Sequence, residues 1–166
     1  VTPRGRVTSD TQTSYVLALS FDLLPGDQRA TAARRLVNDV RERGHLTTGF
    51  LGTPDLTHVL ADHGYRDEAF DLLFRTEYPS WLYPVTRGAT TIWERWNGIR
   101  PDSTFQDPGM NSFNHYAYGA IGEWLYTEVA GLQAAAPGYE ELRIAPHPGD
   151  TLTHARAVLE TNYGRA

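Results

Sequence analysis

Apolar residues in the first two thirds of the chain recur at helical rather than strand spacing, and glycines and prolines divide them into pairs of helices. The run "TQTSYVLALSFDLL" (11–24) is apolar around most of its circumference, which predicts a helix buried on several sides and broken at Pro25-Gly26. Asp27 is placed to cap a second helix with Ala33, Leu36, Val37 and Val40 on one face, Arg and Asp on the other, and Gly44 as its stop. The pattern then repeats. Thr53-Pro54 opens a third helix, with Thr as cap and Pro in the first turn; Leu56, Val59 and Leu60 form its face and Gly64 ends it. Ala69, Phe70, Leu72, Leu73 and Phe74 make a fourth, which ends before Tyr78-Pro79. A long final helix is expected from a Ser112 cap to Gly131, carrying Tyr116, Ala120, Ile121, Trp124 and Val129.

Past Gly138 the pattern changes. "YEELRIAPHP" and "LTHARAVLET" alternate polar and apolar residues over short runs, as strands do. The expected organisation is therefore a helical part, residues 1–131, and the start of a β domain, residues 132–166. Paired helices with long loops at one end suggest part of an α/α toroid, while two strands alone make no stable sheet.

Composition narrows the function classes. A chain of 166 residues has enough material for one core, and 40% hydrophobic with 21% charged residues is an ordinary globular balance. The net charge of −5, without a long basic run, gives little support to a nucleic-acid or membrane-surface partner. No apolar stretch approaches the ~20 residues of a membrane span. Cysteine is absent, which removes disulfides, thiol catalysis and thiolate zinc sites and fits a reducing compartment, so a cytoplasmic location is expected rather than a secreted one. The chain begins at Val1 without the apolar core of a signal peptide and stops directly after strand-like residues; both ends read as cuts in a larger protein.

The candidate chemistry is concentrated in "RGATTIWERWNGIRPDSTFQDPGMNSFNHYAYG" (87–119), which is dense in Gly, Pro, Asn and Asp. Glu94 stands between Trp93 and Trp96. Flanking indoles would partly desolvate a carboxylate, raising its pKa and making it a better base. Aromatic faces also suit the C–H face of a sugar ring, and glycoside hydrolysis needs a carboxylate to activate water or to attack the anomeric carbon. The alternative is a pair of core tryptophans beside a solvated Glu94 and Arg95. His115, in "MNSFNHY" at the expected entrance of the last helix, either orients a water or sugar hydroxyl together with Asn111 and Asn114 or serves a local hydrogen bond. Asp107 fits a second carboxylate, or simply the turn before Pro108-Gly109. His45, in "GHLTTGFLGTP", suits a pocket wall as well as a tight connection, and Trp81 suits a wall or a core plug. His58 and His63 are five apart, the wrong spacing for two metal ligands on one helix face, and neither a phosphate loop nor a dinucleotide fingerprint is present, so no metal and no cofactor is expected.

Taken in order, "HLTTGFLGTP", "YPSWLYPVTRGATTIWERWNG" and "DPGMNSFNHYAYGAIGEWLY" resemble the inverting bacterial α-L-rhamnosidases, from Thr11 to the end of the chain. The resemblance implies the C-terminal portion of a mainly α, (α/α)6 barrel built of helix pairs, followed by the first strands of a C-terminal β-sandwich, acting on rhamnose-containing glycosides. It further implies Glu94 as the general base that deprotonates the attacking water and His115 as a substrate-contacting residue beside that water. Trp93, Trp96, Asn114, His45 and Trp81 are candidate substrate contacts. An inverting mechanism also needs a general acid, roughly 6.5–9.5 Å from the base. The acidic, arginine-containing motif that carries it in the family has no counterpart before Thr11, so the missing N-terminal part of the enzyme or a partner chain is the expected partner. A non-catalytic rhamnose-binding or assembly fragment, or another inverting (α/α)6 glycosidase, are the alternatives.

Overall fold

A computed structural model describes residue 2 and residues 5–166. They divide into two compact units, Val1–Ala120 and Ile121–Ala166. The first unit carries the helix pairs. Helix α1 (Gln12–Ser20) packs on α2 (Gly26–Arg43) and α3 (Thr53–Asp62), and α3 packs in turn on α4 (Arg66–Phe74). The buried faces are those that the spacing predicts: Leu36, Val37 and Val40 on α2, Leu56, Val59 and Leu60 on α3, and Ala69, Phe70 and Leu72 on α4. Gly44 ends α2 in the left-handed conformation at φ 69°, its N–H bonded to the Val40 carbonyl.

Helix boundaries depart from expectation in three places. Helix α1 stops at Ser20 instead of reaching Leu24. Asp22 takes φ 55°, and the Leu23 N–H reaches back to Ala18 O while Asp22 N–H reaches Leu19 O, a Schellman closure that leaves Phe21 and Leu23 exposed. Asp27 lies in the first turn of α2 rather than capping it, because Pro25 occupies the capping position. Thr53 is the first helical residue of α3, and its hydroxyl bonds to Thr48 instead of capping.

The expected long final helix does not begin at Ser112; helical backbone starts only at Ala117 and runs to Val129, in 3₁₀, α and π turns. Residues 112–116 are irregular, followed by a 3₁₀ turn at Ala117–Ala120. The cause is tertiary: the Ser112 and Phe113 carbonyls, which would accept the first bonds of a helix, instead accept from Glu94 N–H and the Thr91 hydroxyl. A short helix, α5 (Leu82–Thr86), precedes the irregular segment 87–98.

The second unit opens with α6 (Ile121–Trp124), running into a π-helical turn at Leu125–Val129. Strand β1 (Leu132–Ala134) pairs antiparallel with β2 (Leu142–Ile144), Leu132 opposite Ile144. Strands β3 (Glu160–Thr161) and β4 (Gly164–Arg165) form a second small ladder. These strands are shorter than the alternation predicts; most of "LTHARAVLET" is irregular. Gly131 is forced by geometry, since a Cβ there would stand 2.1 Å from Pro146 N at φ 72°.

One buried polar residue ties the helical unit together. Gln12 is 1% exposed; its amide nitrogen donates to Asp39 Oδ2 (2.9 Å) and His45 O (3.2 Å), and its oxygen accepts from Thr47 N–H (2.7 Å). It therefore joins the start of α1 to α2 and to the loop 45–52. Replacing Gln12 by Leu strands these partners, and urea denaturation of the protein is expected to show a loss of about 1–3 kcal/mol. Gly131→Ala is expected to cost at least about 2 kcal/mol, read as a lowered melting transition, because strain and overlap act together there.

Candidate active site

The site is built on a crossing of two irregular segments, 91–94 and 112–115. Glu94 N–H donates to Ser112 O at 2.9 Å, and Ser112 N–H returns a bond to Glu94 Oε2 at 2.8 Å. His115 N–H donates to Ile92 O at 2.8 Å, and the Thr91 hydroxyl donates to Phe113 O. A carboxylate thus takes a place in what is otherwise a main-chain ladder, which fixes its side chain against one segment. Gly98 lies under the crossing: a Cβ there would come within 3.1 Å of Phe113, Trp93 and Asn111 side-chain atoms.

Glu94 is half-buried and lines a cavity of about 390 Å³ with Phe50, Tyr78, Arg95, Trp96 and Tyr118 among its walls. Trp96 stacks on Tyr118 at 3.7 Å between ring centroids, and Trp81 meets Trp96 edge-on at 5.6 Å. Burial pushes the Tyr118 phenol above the ordinary tyrosine value; Tyr78 and Glu94 add to the rise, while Arg95 opposes it. Arg95 is anchored by a bond from Nε to Met110 O at 2.7 Å.

The remaining predicted residues divide around this cavity. Trp93 does not line it. Adjacent side chains diverge on a non-helical backbone, and Trp93 instead packs edge-on against Phe113 and faces a second, apolar cavity of about 280 Å³. Trp96 and Tyr118 line both cavities. Trp81 belongs to the second cavity and is 8% exposed, its indole N–H bonded to Tyr118 O, so it supports the Trp96–Tyr118 stack from behind. His115 is not a wall residue of the Glu94 cavity; its ring stacks at 4.7 Å on Phe50, which is one. Its Nδ1 accepts from Ala117 N–H at 3.3 Å, which leaves Nε2 to carry the proton of the neutral ring. Asn114 is exposed, and its N–H bonds to the Ser112 hydroxyl. His45 lines neither cavity, and its Nδ1 lies 2.8 Å from Leu46 O. Asp107 is a turn former, its Oδ1 accepting from Gly109 N–H.

Phe50, Tyr78 and Tyr118 are the residues that sequence reasoning missed. Phe50 was within reach, because it sits in the same glycine-rich loop that drew attention to His45. Chemically, the arrangement offers a fixed carboxylate able to accept a proton from water, beside aromatic faces able to take apolar sugar surface.

Comparison with known proteins gives the lineage. The model of the bacterial alpha-L-rhamnosidase 6 hairpin glycosidase domain matches residues 1–129, and that of the bacterial alpha-L-rhamnosidase C-terminal domain matches residues 131–166. An alpha-L-rhamnosidase of Streptomyces avermitilis is 50% identical over 96% of this chain, and one of Formosa agariphila is 50% identical over 93%. The crystal structure of the Streptomyces avermitilis enzyme complexed with L-rhamnose superposes with a TM-score of 0.96 at 49% identity, over 99% of this chain and 16% of that one. The alpha-L-rhamnosidase of Aspergillus terreus gives 0.96 at 41% identity, over 99% of this chain and 19% of its own. The chain spans only 16% and 17% of the two bacterial relatives' lengths. Helix pairs, crossing segments and short C-terminal strands thus recur together in enzymes of one kind, and the chain belongs to the bacterial alpha-L-rhamnosidase family, as part of its six-hairpin glycosidase domain with the adjoining C-terminal segment.

Proposed function

We propose that this chain supplies the general base of an α-L-rhamnosidase that removes terminal α-L-rhamnose from glycosides with inversion. The observation that carries the reading is the Glu94 carboxylate, held by Ser112 N–H at the wall of an aromatic cavity, in a chain half identical to named rhamnosidases. Oε2 is engaged by the backbone, so Oε1 is the oxygen assigned to the proton. Water gives that proton to Glu94 as its oxygen bonds to the anomeric carbon; the glycosidic C–O bond breaks, and the leaving oxygen is protonated by an acid from the rest of the enzyme. That acid stands roughly 6.5–9.5 Å from the base, which leaves room for the water. Rhamnose carries a methyl where many hexoses carry a hydroxymethyl, and the faces of Trp96 and Tyr118 suit its apolar side. His115 Nε2–H is the donor assigned to a sugar hydroxyl or to the attacking water.

In the intact enzyme, Glu94→Gln is expected to lower turnover of an aryl α-L-rhamnoside by about 100- to 10,000-fold while leaving the L-rhamnose dissociation constant nearly unchanged. Near-normal turnover would remove Glu94 from the role of base. The purified 166-residue chain is expected to show no hydrolysis of the same substrate, since it would hold the base without the acid.

A further inference from the structure

Phe50 is a large ring of the helical unit that meets His115 from a separate loop. It lies in the loop 45–52 between α2 and α3, the loop held by Gln12 and by the Thr48–Thr53 hydroxyl pair. Phe50 is 41% exposed, less than Phe21, Tyr78 or Phe105, so its contacts rather than its exposure set it apart. Its face lies against the His115 imidazole at 4.7 Å and 16°, and it meets Tyr118 at 5.1 Å and 54°. It also lines the Glu94 cavity directly.

His115 needs such a neighbour. The main chain of His115 is fixed by its bond to Ile92 O, but the ring itself has one long bond, 3.3 Å, from Ala117 N–H. Rotation about the last side-chain torsion of histidine is broad, so a single weak bond defines the ring plane poorly. Tyr116 stacks on the imidazole as well, at 5.4 Å and 8°, but Tyr116 is 87% exposed and adjacent in sequence. Phe50 is the contact that comes from a separate, anchored loop.

We propose that Phe50 is a positioning residue: its ring sets the plane of the His115 imidazole and so the direction in which Nε2–H is offered to the sugar at the Glu94 cavity. The inference rests on the assignment of His115 given above. It makes the loop after α2 part of the recognition machinery although that loop donates no hydrogen bond to the sugar.

A double-mutant cycle in the intact enzyme tests it, with steady-state kinetics on an aryl α-L-rhamnoside. Phe50→Leu is expected to raise KM by about three- to tenfold with a smaller change in kcat, and Phe50→Tyr to keep KM within about twofold of the parent. In the His115→Ala background, Phe50→Leu is expected to add less than about twofold, since the ring it positions is gone. An equal KM increase in both backgrounds, or no increase on Phe50→Leu alone, would overturn the proposal. An unchanged KM for His115→Ala would remove the assignment of His115 itself and Phe50's role with it, so the two failures are distinct. Circular dichroism checks folding of each variant, and Phe50→Met replaces Phe50→Leu in the cycle should the latter not fold.

Discussion

The mutual hydrogen bonding of Glu94 and Ser112 is the constraint on which the rest of this site depends. Glu94 gives its N–H to Ser112 O and takes the Ser112 N–H on its carboxylate, so one residue is fixed at both backbone and side chain by a single partner. Bonds of this kind contribute about 0.5–1.5 kcal/mol net when neutral and more when one partner is charged. Their larger effect is geometric. A carboxylate on a loop ordinarily samples several rotamers, whereas here one oxygen is tied down and the other is left to one side of the crossing. The same crossing places His115, because its N–H is bonded to Ile92 two residues before Glu94.

Helix pairs bring the pieces together without contributing the chemistry themselves. Three connecting stretches, 45–52, 87–98 and 99–116, meet around Trp96 and Tyr118. Each is tied down differently: the first by buried Gln12, the second by the crossing and by Trp81 behind Trp96, the third by turns such as that of Asp107. Loops so fixed have the precision usually attributed to regular elements, which is why an irregular region can hold a carboxylate at a defined place.

The residues show why some of this was legible in the sequence and some was not. Helices α2, α3 and α4 were readable because each carries a periodic apolar face, closed by Gly44 and Gly64 after the first two and by an extended Arg75 ahead of Tyr78-Pro79 after the third. The end of α1 was not, since apolar Phe21 and Leu23 extend the pattern past a turn made by Asp22 in a left-handed conformation. The start of the final helix was misplaced because periodicity counts side chains, while the backbone of residues 112–115 is spent on residues 91–94, far away in sequence. Glu94 and His115 stood out by residue type and company. Trp93 stood out for the same reason, yet adjacency in sequence did not make it a neighbour of Glu94 in space. Phe50 shares the glycine-rich loop of His45, which made the loop legible, but the ring's own part was not, because a lone phenylalanine has no chemical signature until its partner ring is known.

Glu94 and His115 are held by different means, and the difference has consequences. One hydrogen bond from the main chain holds the carboxylate, so side-chain substitution around it alters its surroundings more readily than its position. The imidazole is held mainly by ring contacts, which depend on side chains and can be lost singly. Stacking fixes a plane but tolerates rotation within it; the Nδ1 bond to Ala117 fixes the rotation but only weakly the plane. Neither contact alone defines where Nε2 points, and both together do. On the proposed reading, the proton acceptor is therefore the rigid member of the pair and the sugar-binding donor the adjustable one. Variation in the loop after α2 then provides a physical route for altering sugar affinity in this family while the base stays in place.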